Sequence, residues 1–229
     1  MAAQPSPPAQ SPESPSGGGL NLNIVLAALA LVVIVGGVVL LALGGGKGHS
    51  TAATQPSASK YSGSLASPAQ AEPPLSLRNY RGERVNIAQY KGKAVLVTFL
   101  YTKCPDVCPI IAANLGAALN LMGPSKASKV QLIAVSVDSQ TDTPRAVGKF
   151  LKTHGVAGRM QYLIGSTPEL ARVWKAWGVG SEKDAKEPEL VNHSGLVYGV
   201  SASGKVTTLY AANFTSREVA HDAPLLAAS

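Results

Sequence analysis

The sequence predicts an α/β domain, a mixed β-sheet flanked by helices, preceded by one N-terminal transmembrane helix. Three observations predict it. Two continuous apolar runs rich in β-forming residues, AVLVTFLY (94–101) and VQLIAVSVD (130–138), read as strands buried on both faces. Between them Ile110, Ile111, Leu115, Ala118, Leu119 and Met122 recur at helical spacing, giving a βαβ unit with parallel strands and a right-handed crossover. Far upstream, the twenty residues from Ile24 to Leu43 carry neither a charge nor a polar side chain.

From the N-terminus, residues 1–19 are Pro, Ser, Gly and Ala with nothing to build a core, and read as a disordered leader. The apolar run 24–43 would reach about 30 Å as a helix, the thickness of a bilayer core, so it reads as a membrane span. A cleaved secretory signal would have a charged start and only about 7–15 apolar residues. The nearest cations, Lys47 and Lys60, follow the span, which by charge bias alone would put the downstream side in the cytoplasm. Large domains cross largely regardless of such bias, so the chemistry of the domain decides its side. Residues 44–74 have no period and are rich in Gly, Ser, Ala and Pro, as a flexible linker should be. The globular domain then runs over 75–228.

Inside it, Thr143 with Pro144 opens a helix, and so does Thr167 with Pro168, where Ser166 and Glu169 have capping-box spacing. RMQYLIG (159–165) between them is a third strand. LVYGVSASGKVTTLYA (196–211) reads as two strands around the Ser203-Gly204 turn, and Thr215 with Glu218 opens a terminal helix. No internal repeat is present. All twenty Lys and Arg follow residue 46, so the positive excess of the chain, +7 in all, comes from the domain and its linker. The lysines (Lys126, Lys129, Lys149, Lys152) are scattered singly with few aromatics between them, a poor match to a nucleic-acid surface.

The two cysteines of the chain stand in YTKCPDVCP, at Cys104 and Cys108. A disulfide across so short a loop removes little entropy from the unfolded chain, so a purely structural bridge would stabilise little. Each cysteine precedes a proline, which favours extended or turn conformation at both and places Pro109 as the first residue of the helix. Asp106, between them, reads as a cap of the first turn. The sulfurs then lie at the positive end of a helix, which favours thiolate over thiol, and at the carboxyl end of a core strand, where open α/β sheets bind ligands. Activated thiols exchange disulfides or hold a soft metal. Structural zinc and iron–sulfur clusters want more ligands than two cysteines supply, whereas Cu(I) is satisfied by few. His193, in ELVNHSGLVYGV, is the candidate third ligand. His49 falls in the linker, His154 at a helix end and His221 on the terminal helix, all with ordinary roles, and Met122 and Met160 read as core fillers.

TFLYTKCPDVCP, SVDSQTDTP and VNHSGLVYGVSASGK, in that order, resemble the SCO/SenC family of copper-binding, thioredoxin-like assembly proteins, over about residues 75–228. The resemblance implies a thioredoxin-like fold and copper binding by Cys104, Cys108 and His193, with Cu(I) as the working ion and Cu(II) left open. It implies no enzymatic activity beyond an auxiliary thiol–disulfide reductase role of the Cys104–Cys108 pair. It also implies a single-pass anchor in the cytoplasmic membrane, a domain facing the periplasm, and delivery to the copper site of cytochrome c oxidase subunit II. An upstream copper donor or a thiol reductant would be a further partner. Asp138 matches an acidic residue of the family that contacts a partner or orients a ligand, and otherwise reads as a strand-end turn residue. Many members carry Asp before the histidine, where this chain has Asn192. Two other readings of the same residues are a thiol–disulfide oxidoreductase that reduces the oxidase's copper-site cysteines and a redox or copper sensor. Three residues between the cysteines rather than two weigh against the reductase.

Overall fold

The computed structural model describes residues 59–183, 191–193 and 195–229, with the backbone alone at 181–183 and 191–193. The leader, the expected span at 24–43 and most of the linker lie outside the described residues. The linker expected to extend to residue 74 ends earlier. Strand β1 (Ser64–Ala71) pairs antiparallel with β10 (Lys205–Tyr210), and Tyr61 ahead of it is buried. Its sequence, SLASPAQA, carries no apolar alternation because the strand is an edge, exposed along most of its length.

The remaining elements follow in chain order. Strands β2 (Ser76–Asn79) and β3 (Arg84–Asn86) form a hairpin joined through residues 80–83 and followed by a 3₁₀ turn at Ile87–Tyr90. Then come β4 (Ala94–Leu100), α1 (Val107–Ala127), β5 (Val130–Ser136), α2 (Pro144–Thr153), β6 (Met160–Ile164) and α3 (Thr167–Trp177). Among the described residues, the short strands β7 (Ser181–Lys183) and β8 (Val191–His193) pair only with each other. The chain finishes with β9 (Val197–Val200), β10 and α4 (Ser216–Ala227). The eight-stranded sheet has the order β1-β10-β9-β4-β5-β6-β2-β3. Strands β4, β5 and β6 are parallel, and every other pairing is antiparallel, so the sheet is mixed as expected.

All seven residues of β4 are buried, as are six of the seven of β5, which accounts for their unbroken apolar sequences. Helix starts fall where the caps predict them. Thr143 caps α2, Ser166 and Glu169 form a capping box on α3, and Thr215 and Glu218 form one on α4. Helix α1 is long and apolar enough by composition to cross a membrane, but it packs Cys108, Ile111, Ala112, Leu115, Ala118 and Leu119 into the core and is interrupted at Gly123. It lies against α4, which in turn contacts β4, β5 and β9. Phe99, Trp177 and Tyr198 pack ring against ring, tying β4 and β9 to the end of α3. The result is a sheet whose central parallel strands all end at one pole, where the cysteine motif follows β4.

Candidate metal centre

The motif leaves β4 through a turn in which the Cys104 N–H donates to the Tyr101 carbonyl at 3.3 Å. Helix α1 begins at Val107, two residues before the position expected from Pro109, so Cys108 stands in its first turn rather than in extended backbone. Asp106 occupies the N-cap position, yet its side chain makes no capping hydrogen bond. Sulfur does that work instead. The Cys108 N–H, one of the helix's unpaired first-turn donors, points to Cys104 Sγ at 3.4 Å.

Neither cysteine is in a disulfide and both are buried, Cys104 at 8% exposure and Cys108 at 0%. Their acidities separate strongly. Cys104 is drawn down to about 6 because the Cys108 side chain donates to it, and the backbone N–H groups of Asp106 and Cys108 add to the effect against the cost of burial. Cys108 is pushed far above the thiol range, because its hydrogen is held by Cys104 and because it is buried. The pair is therefore one thiolate and one thiol sharing a hydrogen at the positive end of a helix.

His193 ends β8, with Ser181 opposite it in the β7–β8 pair; its side chain lies outside the described part of the structure. Two residues on, Gly195 packs on the start of α1. A methyl group built there would meet Val107 Cγ2 at 3.8 Å and Ile111 Cδ1 at 3.9 Å. The Leu196 carbonyl accepts from Thr98 Oγ1 on β4 at 3.0 Å. Two residues span at most about 7 Å, so the chain connectivity keeps the His193 backbone within that distance of Gly195.

These features set the chain among known proteins. The model of the family described as SCO1/SenC matches residues 64–226, more than half of the sequence. The chain belongs to the SCO1/SenC family. It is similar to Protein sco1 of Schizosaccharomyces pombe, 29% identical over 151 residues that cover 64% of this chain and 57% of that one. This chain spans only about half the length of several of the relatives it matches. Among solved structures it is similar to copper-bound ScoI of Bradyrhizobium japonicum, at TM-score 0.60 and 29% identity over 69% of this chain and 99% of that one. Apo Sco1 of Thermus thermophilus aligns at TM-score 0.63 and 27% identity over 74% and 97%. The thioredoxin-like fold expected of the domain is the fold these SCO1/SenC structures share.

Within this SCO1/SenC domain the other named residues sort clearly. Asp138 is 8% exposed and its carboxylate is taken up in a turn, accepting from the Gln140 N–H at 2.9 Å and from Thr141 Oγ1 at 2.6 Å. The turn reading of that residue is the one the geometry favours. His154 stacks on Phe150 at 4.5 Å, with burial holding its imidazole below the usual range. His221 pairs with Asp222 at 2.7 Å. Met160 is core, and Met122 packs against it. Asp142 stands in the SVDSQTDTP motif, where the sequence gives it no role because Thr143 and Pro144 read as a helix start, yet it is the buried carboxyl that reaches the cysteine motif. Its Oδ1 accepts the Thr102 N–H at 2.7 Å.

Proposed function

We propose that the protein is a membrane-anchored copper carrier in which Cys104, Cys108 and His193 hold one Cu(I) ion as cargo. The observation that carries this reading is the reduced, buried cysteine pair at the helix start, with the Cys104 sulfur accepting the Cys108 N–H at 3.4 Å and its pKa drawn down first by the Cys108 side chain and then by backbone N–H groups. Two soft thiolates select Cu(I) over harder ions, and the negative charge they add is favoured by the helix end. Binding displaces the hydrogen that Cys108 shares with Cys104, so uptake releases a proton. The position of Gly195 against Val107 supports His193 as the third donor, because it keeps the end of β8 near the start of α1. Copper-bound ScoI structures from Bradyrhizobium japonicum and Arabidopsis thaliana, at 29% and 26% identity, support copper as the cargo.

The carrier has no turnover of its own. Its domain faces the periplasm behind the span at 24–43, and it passes the ion to the copper site of cytochrome c oxidase subunit II by ligand exchange, incoming thiolates replacing Cys104 and Cys108 in turn. An upstream donor loads it. The test is titration of the detergent-solubilised full chain with Cu(I) against a competing chelator. One equivalent binds the wild type, and Cys104→Ser and His193→Ala each bind it more weakly. Unchanged affinity in His193→Ala would remove the imidazole from the site.

A second reading is favoured by the split acidity of the pair. The Cys104 thiolate attacks a partner's disulfide and expels one of its sulfurs as thiolate. Cys108 then gives up its proton and attacks Cys104 Sγ, releasing the partner as a dithiol and leaving the Cys104–Cys108 disulfide, which a thiol reductant restores. Catalytic reduction of a model disulfide by copper-free protein, with no Cu(I) retained under the chelator, is the result that would favour it.

A further inference from the structure

Asp142 is a buried carboxyl group, pushed above the usual carboxylate range by its burial, to which the proposed copper site assigns no part. It is 5% exposed and lies in the loop between β5 and α2. Three donors converge on it. The Thr102 N–H reaches Oδ1 at 2.7 Å, while Ser136 Oγ at 2.7 Å and Tyr162 Oη at 2.8 Å both reach Oδ2. Ser136 and Tyr162 are wholly buried, at the end of β5 and within β6. Ser136 is itself anchored, since its carbonyl accepts from Trp174 Nε1 at 2.9 Å and its hydroxyl accepts the Asp138 N–H at 3.1 Å. One end of this network is therefore rigid core. The other end is the peptide of Thr102, two residues before Cys104 and inside the turn that aims its sulfur.

A charge is expensive to bury, and a side chain needed only to fill space there would not be an acid. The site favours a group that accepts on both oxygens, because the Thr102 peptide can only donate and the two hydroxyls both donate to Oδ2. Asparagine would present Nδ2 on one side, and would either lose the Thr102 bond or oblige Ser136 and Tyr162 to turn round and accept. We propose that Asp142 is a positioning residue for the Cys104–Cys108 pair: it clamps the Thr102 peptide to the core and holds the sulfurs in the open, metal-ready dithiol arrangement rather than letting the turn relax toward the disulfide. This rests on the copper-carrier reading for its purpose, but its effect on the pair is measurable without metal.

The experiment uses the full chain in detergent and two variants, Asp142→Asn and Tyr162→Phe. Each is equilibrated without copper in mixtures of reduced and oxidised glutathione, which supply and take up the two electrons and two protons. Each is then titrated with Cu(I) under a competing chelator, and thermal unfolding is recorded in parallel. Asp142→Asn shifts the dithiol–disulfide equilibrium about tenfold toward the disulfide, about 30 mV, and weakens Cu(I) binding about tenfold, the usual effect of losing a group that supports a metal site from behind. Tyr162→Phe removes one of the three donors and shifts the glutathione equilibrium about threefold in the same direction. A variant that loses thermal stability while both equilibria stay within twofold of wild type reduces Asp142 to a structural role and overturns the proposal. Should Asp142→Asn not fold, Tyr162→Phe decides alone, and an unshifted equilibrium overturns it. If the wild type itself retains no Cu(I), the carrier reading fails while the glutathione result still judges Asp142.

Discussion

Cys104 and Cys108 share one hydrogen instead of titrating as separate thiols, and that sets the pH behaviour of the site. With Cys104 drawn down to about 6 by Cys108 and by helix N–H groups, thiolate absorbance of the reduced, metal-free protein should rise with one midpoint near 6. Cys108→Ala removes the leading cause of that shift, so its single midpoint should move up toward 9.0, the ordinary thiol value. A midpoint that stays near 6 would assign the effect to the helix end alone. The sign for stability follows. A group whose value is lowered by folding stabilises the fold fully above its unfolded value and loses that contribution as pH falls through the folded one. The stability advantage of reduced wild type over Cys104→Ser should therefore shrink between pH 9 and pH 6, as chemical denaturation at each pH would show. The cysteines were legible in the sequence, as was their place at a helix start, because proline and spacing are local signals. The sulfur cap was not, since it depends on where the Cys104 turn places Sγ. Nor was the role of Asp142, whose three donors come from three separate segments, while Asp138 accepts from Gln140 and Thr141 within its own turn.

Among the elements, α2, α3 and α4 and the three parallel strands could be read from caps and apolar runs, because those signals are contained in short windows. Strand β1 could not, since an exposed edge strand has no burial pattern and is held by its ladder to β10. Strand β9 shows a constraint of the same non-local kind. It runs between β4 and β10 in the sheet, with α4 packed over it. At Gly199 a methyl group would collide with Thr208 Oγ1 and stand 2.9 Å from Leu226 Cδ1 on α4. Gly199→Ala should cost about 1–3 kcal/mol by overpacking, measured by denaturant unfolding. A neutral substitution would mean that α4 can move off the sheet freely.

For the whole molecule, the point at which the linker becomes domain is fixed by one buried carboxylate. Asp222 accepts the backbone N–H groups of Ser62 and Gly63, each at 2.8 Å, and Tyr210 Oη at 2.9 Å. Burial acts to raise its pKa, but these donors and His221 outweigh it and hold the group below the usual carboxylate value. Its contribution is thus present at neutral pH and lost as pH falls through that lowered value. Asp222→Ala should destabilise the domain by about 2–4 kcal/mol and speed hydrogen exchange at Ser62 and Gly63; slow exchange at both amides would place the anchor elsewhere. The linker's composition hides this attachment, because Ser62 and Gly63 are held through their backbone and from Asp222 far along the chain. The proposed copper site likewise depends on segments distant in sequence, with the turn after β4 and the start of α1 supplying two sulfurs and the end of β8 an imidazole. X-ray absorption at the copper edge of the Cu(I)-loaded full chain tests that convergence most directly. Two sulfurs and one nitrogen around the ion, with the nitrogen lost in His193→Ala, is the predicted result; a copper shell of sulfurs alone, identical in wild type and variant, would contradict it.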